Sequence, residues 1–252
     1  MNGLSFHTIW MRNFRVWRKF VLSSLIGNLG QPLLFLLAMG YGLGRNIELI
    51  DGLSYLQFIA PGLVASSVMY SAAFETTYGA YTRLSVQKTY EAILTTPLGV
   101  TDLVLGEIFW AASKGVFAGV IMLATLPLFG VWPSGWTIAL LPVLFLSGVF
   151  FAAFGLIMTA LATNYDFFNY FISLVITPLF LFSGIFFSLK TMAPKARLIF
   201  EFLPLTPIVN LARMFCYGQI QGPWLLEIAG SLLLTFFTVW LAVVMLHRRL
   251  IQ

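Results

Sequence analysis

Six long apolar runs, at about 21–43, 55–80, 104–129, 137–161, 167–189 and 224–246, constrain this chain more than any other feature. A helix needs about 20 apolar residues to cross a hydrocarbon core, and each run supplies that length. Inside lipid every backbone N–H and C=O must find a partner within the chain, so such runs fold as helices. Composition agrees. Of the 252 residues 60% are hydrophobic and only 9% are charged, against about 25% charged in a soluble domain. The expected fold class is an all-α membrane protein, one transmembrane domain over residues 1–252.

The net charge of +5 is no nucleic-acid signal, because the basic residues cluster beside the apolar runs. Cys216 is the one cysteine, so no internal disulfide forms. Residues 5–20 (SFHTIWMRNFRVWRKF) read as a helix in the membrane surface. Phe6, Ile9, Trp10, Phe14 and Trp17 supply its apolar or interfacial side, and Arg12, Arg15, Arg18 and Lys19 its basic side. The stretch is no cleavable signal, since the apolar run after it is too long and lacks a cleavage site. Gly27, Asn28, Gly30, Gln31 and Pro32 make the first span the least uniform, and Pro32 predicts a kink. The link ATNYD at 162–166 is minimal, so the fourth and fifth spans are expected to be antiparallel neighbours.

Orientation follows from basic residues at the span ends. Eight lie on the side of the termini and the 81–103 link, and five (Arg45, Lys190, Lys195, Arg197, Arg213) on the other. Both termini and the 81–103 link are therefore expected to be cytoplasmic.

Two links are unusual. The first, 81–103, is polar, and 85–94 reads as a short amphipathic helix with Val86, Tyr90, Ile93 and Leu94 on one face and Gln87, Lys88 and Glu91 toward the other. Thr95, Thr96 and Pro97 end it. It suits docking to something outside the bilayer, or serves as an ordinary connection. The second, 190–223, is long and largely apolar, and Pro204 and Pro207 divide it into pieces at about 193–203 and 206–217. Neither piece spans. They read as a re-entrant hairpin from the outer face, or as an amphipathic loop on that surface.

Catalytic and metal-binding motifs are missing, and so is the GxxxxGK[ST] of a nucleotide-binding loop. Glu75, Glu107 and Lys114 are ionisable residues inside the spans. Such groups are functional candidates, because burying them is costly. Glu107 and Lys114, seven residues apart, share a helix face, and Lys114 is placed to reach Glu75 across a helix contact. A structural ion pair or snorkelling explains them equally well. A proton relay needs more such groups, which argues against a self-sufficient channel or secondary carrier. A membrane-embedded enzyme has no clustered acids, histidines or serine–base pair to support it. The rings around the fifth span, such as Phe171, Phe180 and Phe187, suit either lipid contact or stacking on sugars.

Several separated stretches resemble, in order, the membrane subunits of ABC type-2 exporters. They are Trp10, Met11, Arg12 and Asn13 with Trp17 and Lys19; LIGNLGQP at 25–32; Phe74, Glu75 and Thr76; TYEAIL at 89–94; LGEIFWAA at 105–112 with Lys114; Ile176 to Pro178 with Ser183 and Gly184; Leu203, Pro204 and Leu205; and Arg248, Arg249 and Leu250. Within the family the likeness is strongest to permeases of lipo-chitooligosaccharide export. The resemblance implies a permease that pairs with a second copy of itself and with two ATPase subunits. ATP and Mg would be bound by those subunits, with no cofactor on this chain and no nucleic-acid partner. It places a coupling helix in 81–103, with Arg83, Lys88, Thr89, Tyr90 and Glu91 at or near the ATPase, and brings the N-terminal helix to the same partner. It makes the 193–217 hairpin, with Pro204, Pro207 and Arg213, the outer gate of a pathway lined by the first, second and fifth spans. The implied cargo is an amphipathic glycolipid or polysaccharide; drug or lipid efflux is the alternative within the family.

Overall fold

The computed structural model describes residues 5–44, 47–220 and 222–251, and not the side chains of residues 25, 28, 29, 31 and 43. Arg45, counted above on the outer side, lies outside the described residues. Among the described residues the regular structure is helical, with one isolated β-bridge between Ile50 and Leu53.

Helix α1 (Phe6–Trp17) turns at Arg18–Phe20 into α2 (Val21–Leu37), which runs through Pro32 and widens into a π-helical stretch at Ala38–Leu43. Helix α3 starts at Tyr55, where Ser54 and Gln57 form a reciprocal capping box. It runs to Phe74 and continues through two π-helical stretches, Glu75–Gly79 and Thr82–Val86. Helix α4 (Thr89–Leu94) is short, α5 is Val100–Thr125 and α6 is Leu140–Leu161. Helices α7 (Asp166–Phe171) and α8 (Thr177–Phe182) are joined by the π-helical Ile172–Ile176. Helices α9 (Pro194–Glu201) and α10 (Thr206–Tyr217) precede the last, α11 (Trp224–Leu250).

Among the described residues four stretches are long and apolar enough to cross a membrane: Tyr55–Val86, Val100–Phe129, Gly135–Leu161 and Trp224–Leu250. The pair α9 and α10, bent by 85°, makes a possible fifth. Two shorter apolar helices, Pro32–Gly42 and Asp166–Phe182, stand within the first and fifth expected runs. Polar and small residues interrupt the first run at 27–31. The fifth stops at Ser183, and Gly184 then takes a φ of +75°, which breaks the helix before 189. The chain is thus a multi-pass helical membrane protein with four to five candidate spans.

Helix α3 is the axis. It is buried along nearly its whole length and packs on α5, α6, α2 and α10. Small residues bring the helices close. A Cβ on Gly148 would lie 2.9 Å from the Ala112 Cα, so α5 and α6 touch there backbone to backbone. Helix α11 packs on α6 and α5, with Leu233, Phe236 and Trp240 exposed.

Helix α1 does not stand apart from the bundle. Its Phe6, Ile9, Trp10, Asn13 and Trp17, which share one helix face, lie against α5. Phe6 stacks on Phe109 at 5.2 Å, Trp17 meets Phe117 edge-on at 5.0 Å, and Trp10 Nε1 donates to Ser113 Oγ at 3.1 Å. The crossing point is Gly106, where a Cβ would stand 2.9 Å from the Phe6 carbonyl oxygen.

Candidate functional site

Where α1, α3, α4 and α5 meet, four charged side chains pair inside the protein. Arg83 is the centre. Its Nη1 donates to Glu75 Oε1 at 2.9 Å and its Nη2 to Glu107 Oε2 at 2.6 Å. Lys114 Nζ donates to the other Glu75 oxygen at 2.7 Å, and Trp110 Nε1 to Glu75 Oε1 at 3.1 Å. Asn13, from α1, donates to Glu107 Oε1 at 3.1 Å. The Glu107 side chain is wholly buried, and those of Glu75, Arg83 and Lys114 are 12 to 15% exposed. Two acids and two bases cancel in charge, which is what makes burial of all four tolerable.

Tyr90 fastens α4 to this cluster. It is fully buried, in electrostatic contact with Arg83, Glu107 and Glu75. Burial, and then the Glu107 charge, push its phenol well above the usual range, so the ring stays neutral. Neither the Tyr90 hydroxyl nor Arg83 Nε has a hydrogen bond of ordinary geometry. The opposite side of the link faces outward. Gln87, Lys88, Glu91, Ala92, Thr95 and Thr96 are exposed, with Lys88 and Glu91 paired at 2.7 Å.

The amphipathic helix expected over 85–94 is shorter in the structure. The backbone breaks at Lys88, whose φ of +53° is left-handed, and α4 holds only Thr89–Leu94. Residues 82–86 instead extend α3, and Val86 is exposed while Tyr90 is buried. Of the five residues placed near a partner, Lys88 and Glu91 are exposed, Thr89 is half-buried, and Arg83 and Tyr90 point into the protein. Lys114 does reach Glu75. Arg83 as the bridge between both acids, with Asn13 and Trp110 beside it, went unread in the sequence. The π-helical turns explain why. Bonds of the i→i+5 type add residues to the turn, and this carries Arg83 back under Glu75, eight positions earlier.

The same end of the bundle is closed by Arg249. Its Nη1 donates to the carbonyls of Thr159, Ala160 and Ala162 at 2.6 to 2.9 Å, capping the end of α6. Tyr81 donates to the Thr163 carbonyl at 2.7 Å.

At the opposite end α10 is clasped to α3. Pro61 has no N–H to give to the Gln57 carbonyl, and the Tyr217 hydroxyl donates to that oxygen at 2.7 Å. Arg213 donates to the Phe58 carbonyl at 3.2 Å and to the Gly184 carbonyl at 2.9 Å, with its guanidinium 3.8 Å above the Phe58 ring. Arg213 thus ties α10 to α3 and to the turn after α8. Pro204 sits in the bend between α9 and α10, and Pro207 opens α10.

The family model described as ABC-2 type transporter matches residues 5–217. The chain belongs to the ABC-2 type transporter family. Among its relatives, Nodulation protein J of Sinorhizobium fredii is 35% identical, over all of this chain and 96% of that protein. Nodulation protein J of Bradyrhizobium diazoefficiens is 36% identical over the same shares. The Inner membrane transport permease YadH of Escherichia coli is 26% identical, over 84% of this chain and 81% of its own length. The buried ion cluster, α4 and the Arg213 clasp all lie inside the segment matched to the ABC-2 family, so they belong to its transport permease domain. That family is one of transport permeases and not a catalytic one.

Proposed function

We propose that this chain is the membrane subunit of an ATP-driven exporter that moves an amphipathic glycolipid, of lipo-chitooligosaccharide type, or a polysaccharide outward across the bacterial inner membrane. Two copies form the pathway, and each engages one separate ATPase subunit that binds ATP and Mg. Six spans serve this reading, the two shorter helices at Pro32–Gly42 and Asp166–Phe182 crossing with the four long ones, and both termini lie in the cytoplasm. Helix α1 lies at the membrane surface on that side. Helices α9 and α10 form a re-entrant hairpin that gates the outer end, with Arg213 as its clasp.

The observation that carries the reading is α4. Its Tyr90 is rooted in a buried, charge-balanced cluster on α3 and α5, while Lys88 and Glu91 face outward. A short helix rigidly tied to two spans and free on its other side is suited to carry a push from an ATPase into the bundle. Scarce ionisable groups within the spans weigh against a self-powered carrier.

Co-expression with an ABC ATPase encoded beside it, followed by native mass spectrometry of the solubilised complex, tests this directly. Two copies of each subunit are expected. A permease that never retains an ATPase would remove the exporter reading. Stimulation of ATP hydrolysis by amphipathic glycans, and not by drugs or simple lipids, is expected for the cargo class.

A further inference from the structure

Between α1, the start of α2, the end of α3 and the middle of α5 lies a cavity of about 720 Å³. That is within the range of about 300–1,000 Å³ of small-molecule sites. Arg12, Arg83 and Lys114 stand on its wall, against one carboxylate, Glu75. Glu107 is fully buried on the far side of Arg83. Glu75 and Glu107 take up Arg83 and one N–H of Lys114. An ammonium carries three N–H donors. Among the described residues no carboxylate pairs with Arg12, whose guanidinium donates to Asn13 Oδ1 at 3.1 Å. The wall therefore keeps an unneutralised positive charge and spare donors. Trp17 stands beside them, and the exposed Arg15, Arg18 and Lys19 continue the basic surface outward.

We propose that this cavity binds the phosphate of an anionic membrane phospholipid, with Arg12 and Lys114 as its donors and Trp17 against the glycerol region. The chemistry is that of basic pockets between spans at headgroup depth. A zwitterionic headgroup brings its own ammonium into an already cationic site and is disfavoured. The lipid seats α1 on the bundle from below, filling the space that α1 and α2 leave above Glu75. This does not depend on an ATPase, and its test uses the permease alone.

The test is native mass spectrometry and thermal unfolding of the full-length chain, purified in neutral detergent. It is offered equal amounts of phosphatidylglycerol and phosphatidylcholine, or inorganic phosphate. The wild-type chain is expected to retain phosphatidylglycerol and to gain thermal stability from it. Phosphatidylcholine and inorganic phosphate should do neither. Arg12→Gln is expected to lower the preference about fivefold, the worth of one basic residue near an anionic surface. Gly27 lines the cavity and a Cβ there meets nothing within 4 Å, so Gly27→Leu is expected to occupy that space without a clash and leaves every charge in place. It should abolish retention without changing stability in phosphatidylcholine. Equal retention of both lipids by the wild type, or undiminished retention by Gly27→Leu, overturns the proposal. Stabilisation by inorganic phosphate equal to that by phosphatidylglycerol shows a free-anion site and also overturns it.

Discussion

At the scale of single residues, Arg83 decides most. Among the described residues it is the one cation that touches both acids, so its loss leaves Glu107 there with the Asn13 amide and Glu75 with Lys114 and Trp110. Breaking a buried pair on one side costs about 3–5 kcal/mol, and Arg83→Met should lower unfolding free energy by that amount in detergent denaturation. Tyr90 behaves differently. Its hydroxyl makes no hydrogen bond of ordinary geometry, so Tyr90→Phe should leave neutral-pH stability within about 1 kcal/mol. Its raised phenol pKa has a sign that can be worked out. An unfolded tyrosine ionises near pH 10, while the folded one stays neutral, so stability present below about pH 10 is lost as the pH rises beyond it. Thermal unfolding between pH 8 and 11 should show this loss in the wild type and a shallower one in Tyr90→Phe.

Legibility in the sequence also divides at this scale. Glu75, Glu107 and Lys114 were visible because a charge within an apolar run has few neighbours to hide among, and the seven-residue spacing of Glu107 and Lys114 gave their shared face. Arg83 was hidden because it sits in a polar stretch, where an arginine needs no explanation. The widened π-helical turns that draw it inward leave no residue signature of their own.

At the scale of elements, proline and glycine spoke most plainly. The break between α9 and α10 falls at Pro204, as its fixed φ implies. The helix at 85–94 came out shorter, because hydrophobic spacing alone does not show whether Val86 belongs to α4 or to the end of α3. Helix α1 depends on one close crossing. Gly106→Val should push Phe6 and Ile9 off α5, at about 1–3 kcal/mol, and proteolysis at the α1–α2 turn should report it as faster cleavage. Helix α4 is expected to act through its outer face. Glu91→Ala removes only the exposed pair with Lys88, worth little to stability, so the fold should survive. Cargo-stimulated ATP hydrolysis should then fall severalfold with complex assembly retained. Unchanged stimulation would take Glu91 out of the coupling contact.

At the scale of the whole molecule, two ends are fastened differently. One end holds the ion cluster and the Arg249 cap; the other holds the Arg213 and Tyr217 clasp on α3. Helix α3 joins both, so a movement imposed at α4 has one buried rod through which to reach α10. The most direct check of this arrangement is photo-crosslinking from a benzophenone side chain placed at position 92, on the exposed face of α4, in the complex with the ATPase. An adduct between permease and ATPase is predicted there, with none from position 233 on the exposed apolar side of α11. Crosslinks from position 92 that reach only lipid or the permease itself would contradict the coupling role of α4.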